Sequence, residues 1–253
     1  MNTVRARSQK RGSPSPQILR AVLRLREMIL TGQLPAGQRV AELKVVDAIG
    51  VSRTPLRLAM ETLEHEGLLA RRPSGGFTVR EFTLRDVQQA LELRGSLEGT
   101  ACRFATESRA SQDLAPLWQL VGDMDEVLRA SQPTVETLNR YVVLNERFHD
   151  TLIDLAGNAL LGRLMNQVHG LPFASPSAFV QAQATSTESF RILLVAQEHH
   201  RTIVQAIADG DGARAEALAH EHARLALRNL DAAVRDIEAF KRLPGSVLVK
   251  MGA

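Results

Sequence analysis

Three features are scarce or missing in this sequence of 253 residues. The only cysteine is Cys102, so no disulfide can form within the chain, and we expect this residue to be a small buried apolar side chain of a cytoplasmic protein. Aromatic residues make up only 4%, so the core must be built mainly from Leu, Val, Ile and Ala. No apolar run approaches the length of a membrane span, and no apolar stretch follows the basic start, which excludes a secretory signal.

Charge is divided unevenly along the chain. Residues 1–80 contain 14 Lys and Arg against 6 Asp and Glu, a net charge of +8, whereas residues 81–253 contain 17 against 22, a net charge of −5; together they give the total of +3. This asymmetry is typical of a polyanion-binding module joined to a module that does not bind polyanions. A basic tail beside a solvated basic face would give the same count, so charge alone leaves both interpretations open.

The first third of the chain combines helix and strand patterns. Residues 1–15 are polar and basic, which predicts a disordered tail. Apolar residues then recur at helical spacing in segments 17–30, 41–49 and 53–66. Two β-like runs follow, at 68–71 and 77–80. Because Gly50 has the position of a helix C-cap between the second and third helices, this order predicts a winged helix-turn-helix over residues 16–82.

From Thr83 onward the pattern is helical almost to the end. The predicted helices are at about 84–107, 111–131, 135–156, 158–169, 187–209 and 212–241. We therefore predict a mainly α fold, with an all-helical antiparallel bundle over residues 83–241 and a C-terminal tail over residues 242–253.

The candidate DNA contacts lie at the start of the third helix and in the predicted wing. A recognition helix enters the major groove with exposed donors on its first turns. The candidates are Ser52, Arg53, Thr54 and Arg57 on the helix, and Gly75 and Gly76 in the wing. The two arginines are four residues apart and share a helix face. Ser52 is also the expected N-cap.

These residues belong to a longer pattern. The blocks VSRTPLR and LEHEGLL, with the Pro35–Gly37 loop before them and a glycine-containing wing after them, resemble the DNA-binding domain of the GntR family of bacterial regulators over residues 16–80. The resemblance implies that Arg53 and Arg57 read bases and phosphates, with Ser52, Thr54 and Gly76 beside them. Family members often carry a basic residue after the glutamate that matches Glu42, whereas Leu43 stands here.

Polar residues interrupt the apolar faces of the second region. They are Arg94, Asn145, His149, His200 and His222. His200 and His222 flank the turn at Gly210 at similar distances, so an antiparallel helix pair would bring them level. Each histidine alone is typical of a hydrogen-bonded core residue, but together they predict a polar cavity, because buried polar groups need partners.

The second region also matches a known pattern. The blocks LRGSLEGTA, LNERFHDTLIDLAGN and EHHRTIVQAIADGDGARAEALAHEH resemble the effector domain of the FadR subfamily, called FCD, and most closely its vanillate-responsive, VanR-like members. The resemblance implies that an Asp and three His bind a divalent metal such as zinc or nickel, and that an effector carboxylate completes the shell. His149, His200 and His222 match the histidines, but Asn145 takes the place of the Asp. The histidines could instead bind the acid directly, with Arg94 opposite its carboxylate.

Three functions remain to be compared. The first is a homodimeric repressor that leaves operator DNA when a small carboxylic acid, for example an aromatic acid such as vanillate, binds. The second is a metal-dependent enzyme that uses the histidine cluster. This function leaves the VSRTPLR module unexplained and lacks a base, since Glu198 is the only nearby carboxylate and we expect it to be solvated. The third is an architectural DNA-binding protein, which leaves the polar cluster unexplained.

Overall fold

The computed structural model describes residues 15–108, 113–129, 134–180 and 187–251. Its helices are α1 Pro16–Leu30, α2 Glu42–Ile49, α3 Arg53–His65, α4 Leu84–Ser108, α5 Ala115–Leu128, α6 Val135–Leu155, α7 Ala159–His169, α8 Thr187–Asp209, α9 Gly212–Arg235 and α10 Ile237–Lys241. Its strands are β1 Leu69–Arg71, β2 Phe77–Val79, β3 Phe82–Thr83 and β4 Val249–Lys250. No helix of the described ranges is long and apolar enough to cross a membrane. The predicted mainly α fold is confirmed. Of the expected tail over residues 1–15, residues 1–14 lie outside the described residues, and Ser15 is the N-cap of α1.

Helices α1 to α3 and the β1–β2 hairpin form the winged helix-turn-helix. Helix α1 buries Ala21, Val22, Leu25 and Ile29, the stripe expected from its helical spacing. Gly50 ends α2 in a left-handed conformation (φ 71°) that turns the chain into α3. Strands β1 and β2 are antiparallel, and an isolated antiparallel bridge places Arg39 beside Thr78 on the other edge of β2.

Helices α4 to α9 form the antiparallel bundle. The pair α4–α9 packs closely because α4 carries glycine where α9 crosses it: a Cβ on Gly95 would lie 2.9 Å from Ala223 Cβ. Helices α8 and α9 form a hairpin at Gly210, where the side chain of Asp211 accepts a hydrogen bond from Arg214 N (3.0 Å). Cys102 is fully buried in this bundle.

The end of the chain differs from the expected tail. Helix α9 stops at Arg235 rather than near residue 241, and α10 follows. Residues 242–251, called here the C-terminal strap, pack against the winged helix-turn-helix: β4 pairs in parallel with β3, Gly245 N donates to Leu30 O (3.3 Å), and Lys250 Nζ lies 2.8 Å from Glu81 Oε2. Leu248 is 1% exposed. The strap therefore joins an apolar core that continues from the winged helix-turn-helix to α9 and α10.

Candidate functional site

The start of α3 presents the predicted DNA contacts to solvent. Ser52, Arg53, Thr54 and Arg57 are all exposed. Arg57 Nε lies 3.2 Å from Glu42 Oε2, which orients the guanidinium while 67% of its side chain stays accessible. Ser52 is the N-cap residue of α3, as expected, but its side chain makes no capping hydrogen bond in the described structure. Its hydroxyl group is therefore available to a phosphate.

The wing adds a basic residue that sequence reasoning missed. Gly75 and Gly76 have φ of 86° and 79°, values that favour glycine. Exposed Arg39 lies beside Gly76, with its Nε 3.7 Å from where a Cβ would stand. Arg71, by contrast, is 3.0 Å from Glu64 and stacks over Phe77, so it holds the wing to α3. The bridge of Arg39 to the hairpin, which no local pattern shows, is what brings it to the wing.

The three predicted histidines meet inside the bundle. His149 on α6, His200 on α8 and His222 on α9 are buried, and one ligand atom from each lies within 4.8 Å of the others. The ring centroids of His200 and His222 are 4.5 Å apart, as the symmetry of the α8–α9 hairpin predicts. Phe148 packs beside them, with its ring centroid 4.5 Å from that of His200. The donor set suits zinc or a nickel-like ion.

A glutamine fixes the ring of His200. Gln197 Nε2 donates to Val121 O (3.1 Å) and to Asp125 Oδ1 (2.9 Å), so its Oε1 faces His200 Nδ1 at 3.1 Å. Tyr141 also donates to that oxygen, at 3.3 Å. Because Oε1 can only accept, Nδ1 of His200 must donate. The lone pair of its Nε2 is therefore left for a ligand.

Sequence reasoning missed a carboxylate at this site. Glu98 on α4 is 2% exposed, and its Oε1 lies 3.2 Å from His149 Nδ1, 3.7 Å from Arg94 Nε and 3.9 Å from His169 Nε2. The expectation that Glu198 is the only nearby carboxylate is wrong: its side chain is 58% exposed and pairs with Arg201. The available signal was that Glu98 follows Arg94 by four residues on the same apolar stripe.

Arg94 and Asn145 hold the segment between α7 and α8. Arg94 Nη1 donates to the carbonyls of Ala174 (3.4 Å) and Ser175 (3.0 Å). Asn145 Nδ2 donates to Ser177 Oγ at 3.1 Å. Both side chains are buried, as predicted, but these hydrogen bonds lead to residues 174–177 and not to the histidines.

Burial controls the protonation of the cluster. It lowers the pKa of His200 and of His222 well below the usual histidine range, so both rings are neutral near pH 7. Burial alone would raise the pKa of Glu98, but the neighbouring His149 and Arg94 outweigh it and hold that pKa well below its ordinary value. The site thus offers the neutral imidazoles of His200 and His222 beside an ionised carboxylate.

Many buried polar atoms of the cluster have no hydrogen-bond partner among the described residues. They are Arg94 Nε, both carboxylate oxygens of Glu98, both ring nitrogens of His149, His169 Nε2, His199 Nδ1, His200 Nε2 and His222 Nδ1. An unpaired buried polar group costs about 1–3 kcal/mol, so such a concentration is typical of a site that a ligand completes.

A large cavity lies elsewhere in the described part of the chain. Its volume is about 1380 Å³, and it is an open cleft between the winged helix-turn-helix and the bundle, lined on one side by the Arg26–Glu66 ion pair. It reaches the polar cluster at His169 but is not lined by His149, His200 or His222. The unpaired buried atoms make the cluster, and not the cleft, the better candidate for a specific site.

A winged helix-turn-helix followed by a helical bundle with a buried polar site defines a bacterial DNA-binding transcription regulator with an effector domain. The chain matches the family model "Bacterial regulatory proteins, gntR family" over residues 17–79 and the model "FCD domain" over residues 89–225. It belongs to the GntR family, as a member with an FCD domain, and is a transcription regulator and not an enzyme.

Relatives and solved structures agree with this assignment. The HTH-type transcriptional regulator YdhC of Bacillus subtilis is 29% identical over 162 residues, which are 64% of this chain and 70% of YdhC. A Paenarthrobacter nicotinovorans protein named "Probable D-xylose utilization operon transcriptional repressor" is 30% identical over 195 residues, or 76% of this chain and 79% of that protein. The fold is similar to E. coli McbR/YncC, with a TM-score of 0.60 at 19% identity, over 88% of this chain and all (100%) of that one.

Proposed function

We propose that the protein is a repressor that binds operator DNA as a homodimer and is released by a small carboxylic acid. Residues 16–82 form the DNA-binding module, and residues 83–241 bind the effector and pair the protomers. The observation that carries this proposal is the group of buried, unpaired polar atoms around His149, His200 and His222. A repressor role is supported by the name of the Paenarthrobacter nicotinovorans relative.

DNA is read by the first turns of α3 and by the wing. Arg53 and Arg57 contact base edges and phosphates, Ser52 and Thr54 donate to phosphates, and the wing backbone at Gly75 and Gly76 approaches the duplex. Arg39 adds a positive charge at the wing. One such module covers a half-site, and two-fold symmetry matches a palindromic operator, which favours a dimer.

A divalent ion, zinc or nickel-like, would be held by His149, His200 and His222, with the side-chain oxygen of Asn145 as a neutral fourth donor. The ion would supply a Lewis-acidic position for the effector carboxylate. The charges of the site favour this arrangement over direct binding of the acid, because Glu98 already faces Arg94. A second anion in a buried, metal-free site would leave an excess of negative charge.

The effector acts by binding one arrangement of the DNA-binding modules better than the other. Arg94 and Asn145 also hold residues 174–177 through hydrogen bonds to two carbonyls and a hydroxyl group, so a shift of either side chain on effector binding would reach this segment. Vanillate is the first candidate, from the resemblance to VanR-like proteins; sugar acids and short hydroxy acids follow it.

The experiment measures binding of the full-length protein to its own promoter region at fixed salt, with and without zinc and each candidate acid. We expect an acid that releases the DNA to raise the melting temperature, and His149→Ala, His200→Ala and His222→Ala to abolish both effects. His65→Ala, an exposed histidine, is the control for acid binding. If all three cluster variants bound the inducing acid as tightly as the wild type, the polar cluster would not be the effector site. A monomer with full operator affinity would disprove the dimer.

A further inference from the structure

Glu98 and Gln197 each lie beside one histidine of the cluster, Glu98 beside His149 and Gln197 beside His200. In each pair, a side-chain oxygen faces the Nδ1 atom of a buried imidazole, at 3.2 Å for Glu98 and 3.1 Å for Gln197. Gln197 is held by three further hydrogen bonds, whereas both oxygens of Glu98 lack a well-aligned donor among the described residues. The two oxygens thus lie at similar distances from Nδ1, but only Gln197 already makes the hydrogen bond, and only Glu98 carries a charge.

We propose that Glu98 is a positioning residue of the metal site. Its carboxylate fixes the Nδ1–H tautomer of His149, so that Nε2 is the ligating atom, and it supplies the negative charge that neutral Asn145 does not. This inference rests on the proposed metal site. A carboxylate that accepts from a ligating histidine orients the ring and raises its basicity, and losing such a partner typically costs about 10–100-fold in metal affinity.

The charges around the site give Glu98 a second effect. Three neutral imidazoles and one amide bring no negative charge to a dication, while Arg94 places a positive charge in the same buried region. Glu98 is the only acidic side chain that is fully buried among the described residues. Without it, the ion would face Arg94 uncompensated in a region of low dielectric constant, where like charges repel strongly.

The test is zinc affinity of the full-length, metal-stripped protein, measured by competition with a chromophoric chelator. We expect Glu98→Gln to bind zinc about 10–100-fold more weakly than the wild type. Asn145→Asp in the Glu98→Gln background restores a negative charge at the site and should recover much of the lost zinc affinity. If Glu98→Gln weakened zinc binding only through a structural defect, this second change would not recover it. Glu92→Gln, at an exposed position of the same helix, is the matched control and should change nothing.

Glu98→Asp separates charge from position, and it keeps the test valid if Glu98→Gln does not fold. It retains the charge but shortens the reach to His149, so its zinc affinity should fall between those of the wild type and Glu98→Gln. If the wild type binds zinc and folded Glu98→Gln binds it with unchanged affinity, the role of Glu98 is overturned and the metal site stands. Unchanged affinity in Glu98→Asp overturns the positioning of His149 by Glu98. Failure of the wild type to bind zinc overturns both the metal site and this inference.

Discussion

The winged helix-turn-helix and the helical bundle bury different kinds of side chain. Among the described residues 15–82, every buried side chain is apolar, and the polar residues proposed to act stand on the surface. The bundle instead buries its proposed functional groups: Arg94, Glu98, Asn145, His149, Gln197, His200 and His222. In the first region the proposed functional side chains can be changed without disturbing the fold. In the second region ligand binding and stability depend on the same buried side chains.

The same substitution in the two regions tests this contrast most strongly. Arg94→Met leaves Glu98 buried beside an apolar side chain, and we expect the free energy of unfolding to fall by about 3–5 kcal/mol. Arg57→Met should change it by no more than about 0.5 kcal/mol, because the side chain is exposed. Urea unfolding measures both. The double change Arg94→Met with Glu98→Gln should recover part of the loss; equal stability of Arg94→Met and wild type would break the comparison.

Acid should weaken the bundle of the metal-free protein. The pKa values of His200 and His222 are lowered by burial, so below about pH 6.5, the ordinary histidine pKa, the unfolded chain binds protons that the folded chain does not. Stability therefore falls with decreasing pH, by up to about 2.7 kcal/mol per pH unit when both rings contribute. Chemical denaturation at pH 7.5, 6.5 and 5.5 measures the slope. His222→Gln should reduce it by about half; an equal slope in this variant would disprove the attribution.

In the absence of effector, the side chains that contact the operator should all lie on the surface of the first region. Arg53→Ala and Arg57→Ala each remove a guanidinium that can bind a base edge, worth about 1–3 kcal/mol, or about 5–150-fold in affinity. Fluorescence anisotropy with a promoter fragment measures the loss, and the melting temperature should stay unchanged. Arg24→Ala, an exposed arginine of α1 paired with Glu27, is the control. Wild-type affinity in both α3 variants would remove these residues from the DNA surface.

The smallest effect is expected at the C-terminal strap. Lys250→Ala removes the 2.8 Å contact with Glu81, and 67% of the Lys250 side chain is exposed. Exposed ion pairs contribute about 0–1 kcal/mol, and salt weakens them further. We expect a loss in that range at low salt and none at 1 M NaCl. A larger, salt-independent loss would show that Lys250 stabilises the strap through its packing.

The elements of both regions were predictable because their signals are local. Helical spacing, Gly50 and the turn at Gly210 define α1 to α3, α8 and the start of α9 within one residue of their observed limits, whereas the end of α9 was predicted six residues too late. The level placement of His200 and His222 follows from helix rise alone. Such features depend on residues close together in sequence.

The features that escaped prediction depend on distant parts of the chain. Strand β4 has only two residues, too few for a periodic pattern. Its partner β3 precedes all the bundle helices in the sequence, whereas β4 follows them. Arg39 reaches the wing through one bridge. In the sequence, Glu98 is typical of an exposed charged residue of a helix. Only the fold, through α6 and α7, brings His149 and His169 into contact with it. A single sequence carries no signal for contacts of this kind.

The C-terminal strap gives the winged helix-turn-helix a second attachment to the bundle. The first is the covalent passage from Thr83 into α4; the second is formed where Gly245 meets Leu30 and Val247 packs 3.4 Å from the Cβ position of Gly32. Because the strap, α9 and α10 also share one apolar core with this module, its orientation relative to the bundle is restrained before DNA binds. Most of the orientational entropy that a tethered module would lose on docking to a half-site has therefore already been lost during folding, and DNA binding does not bear that cost.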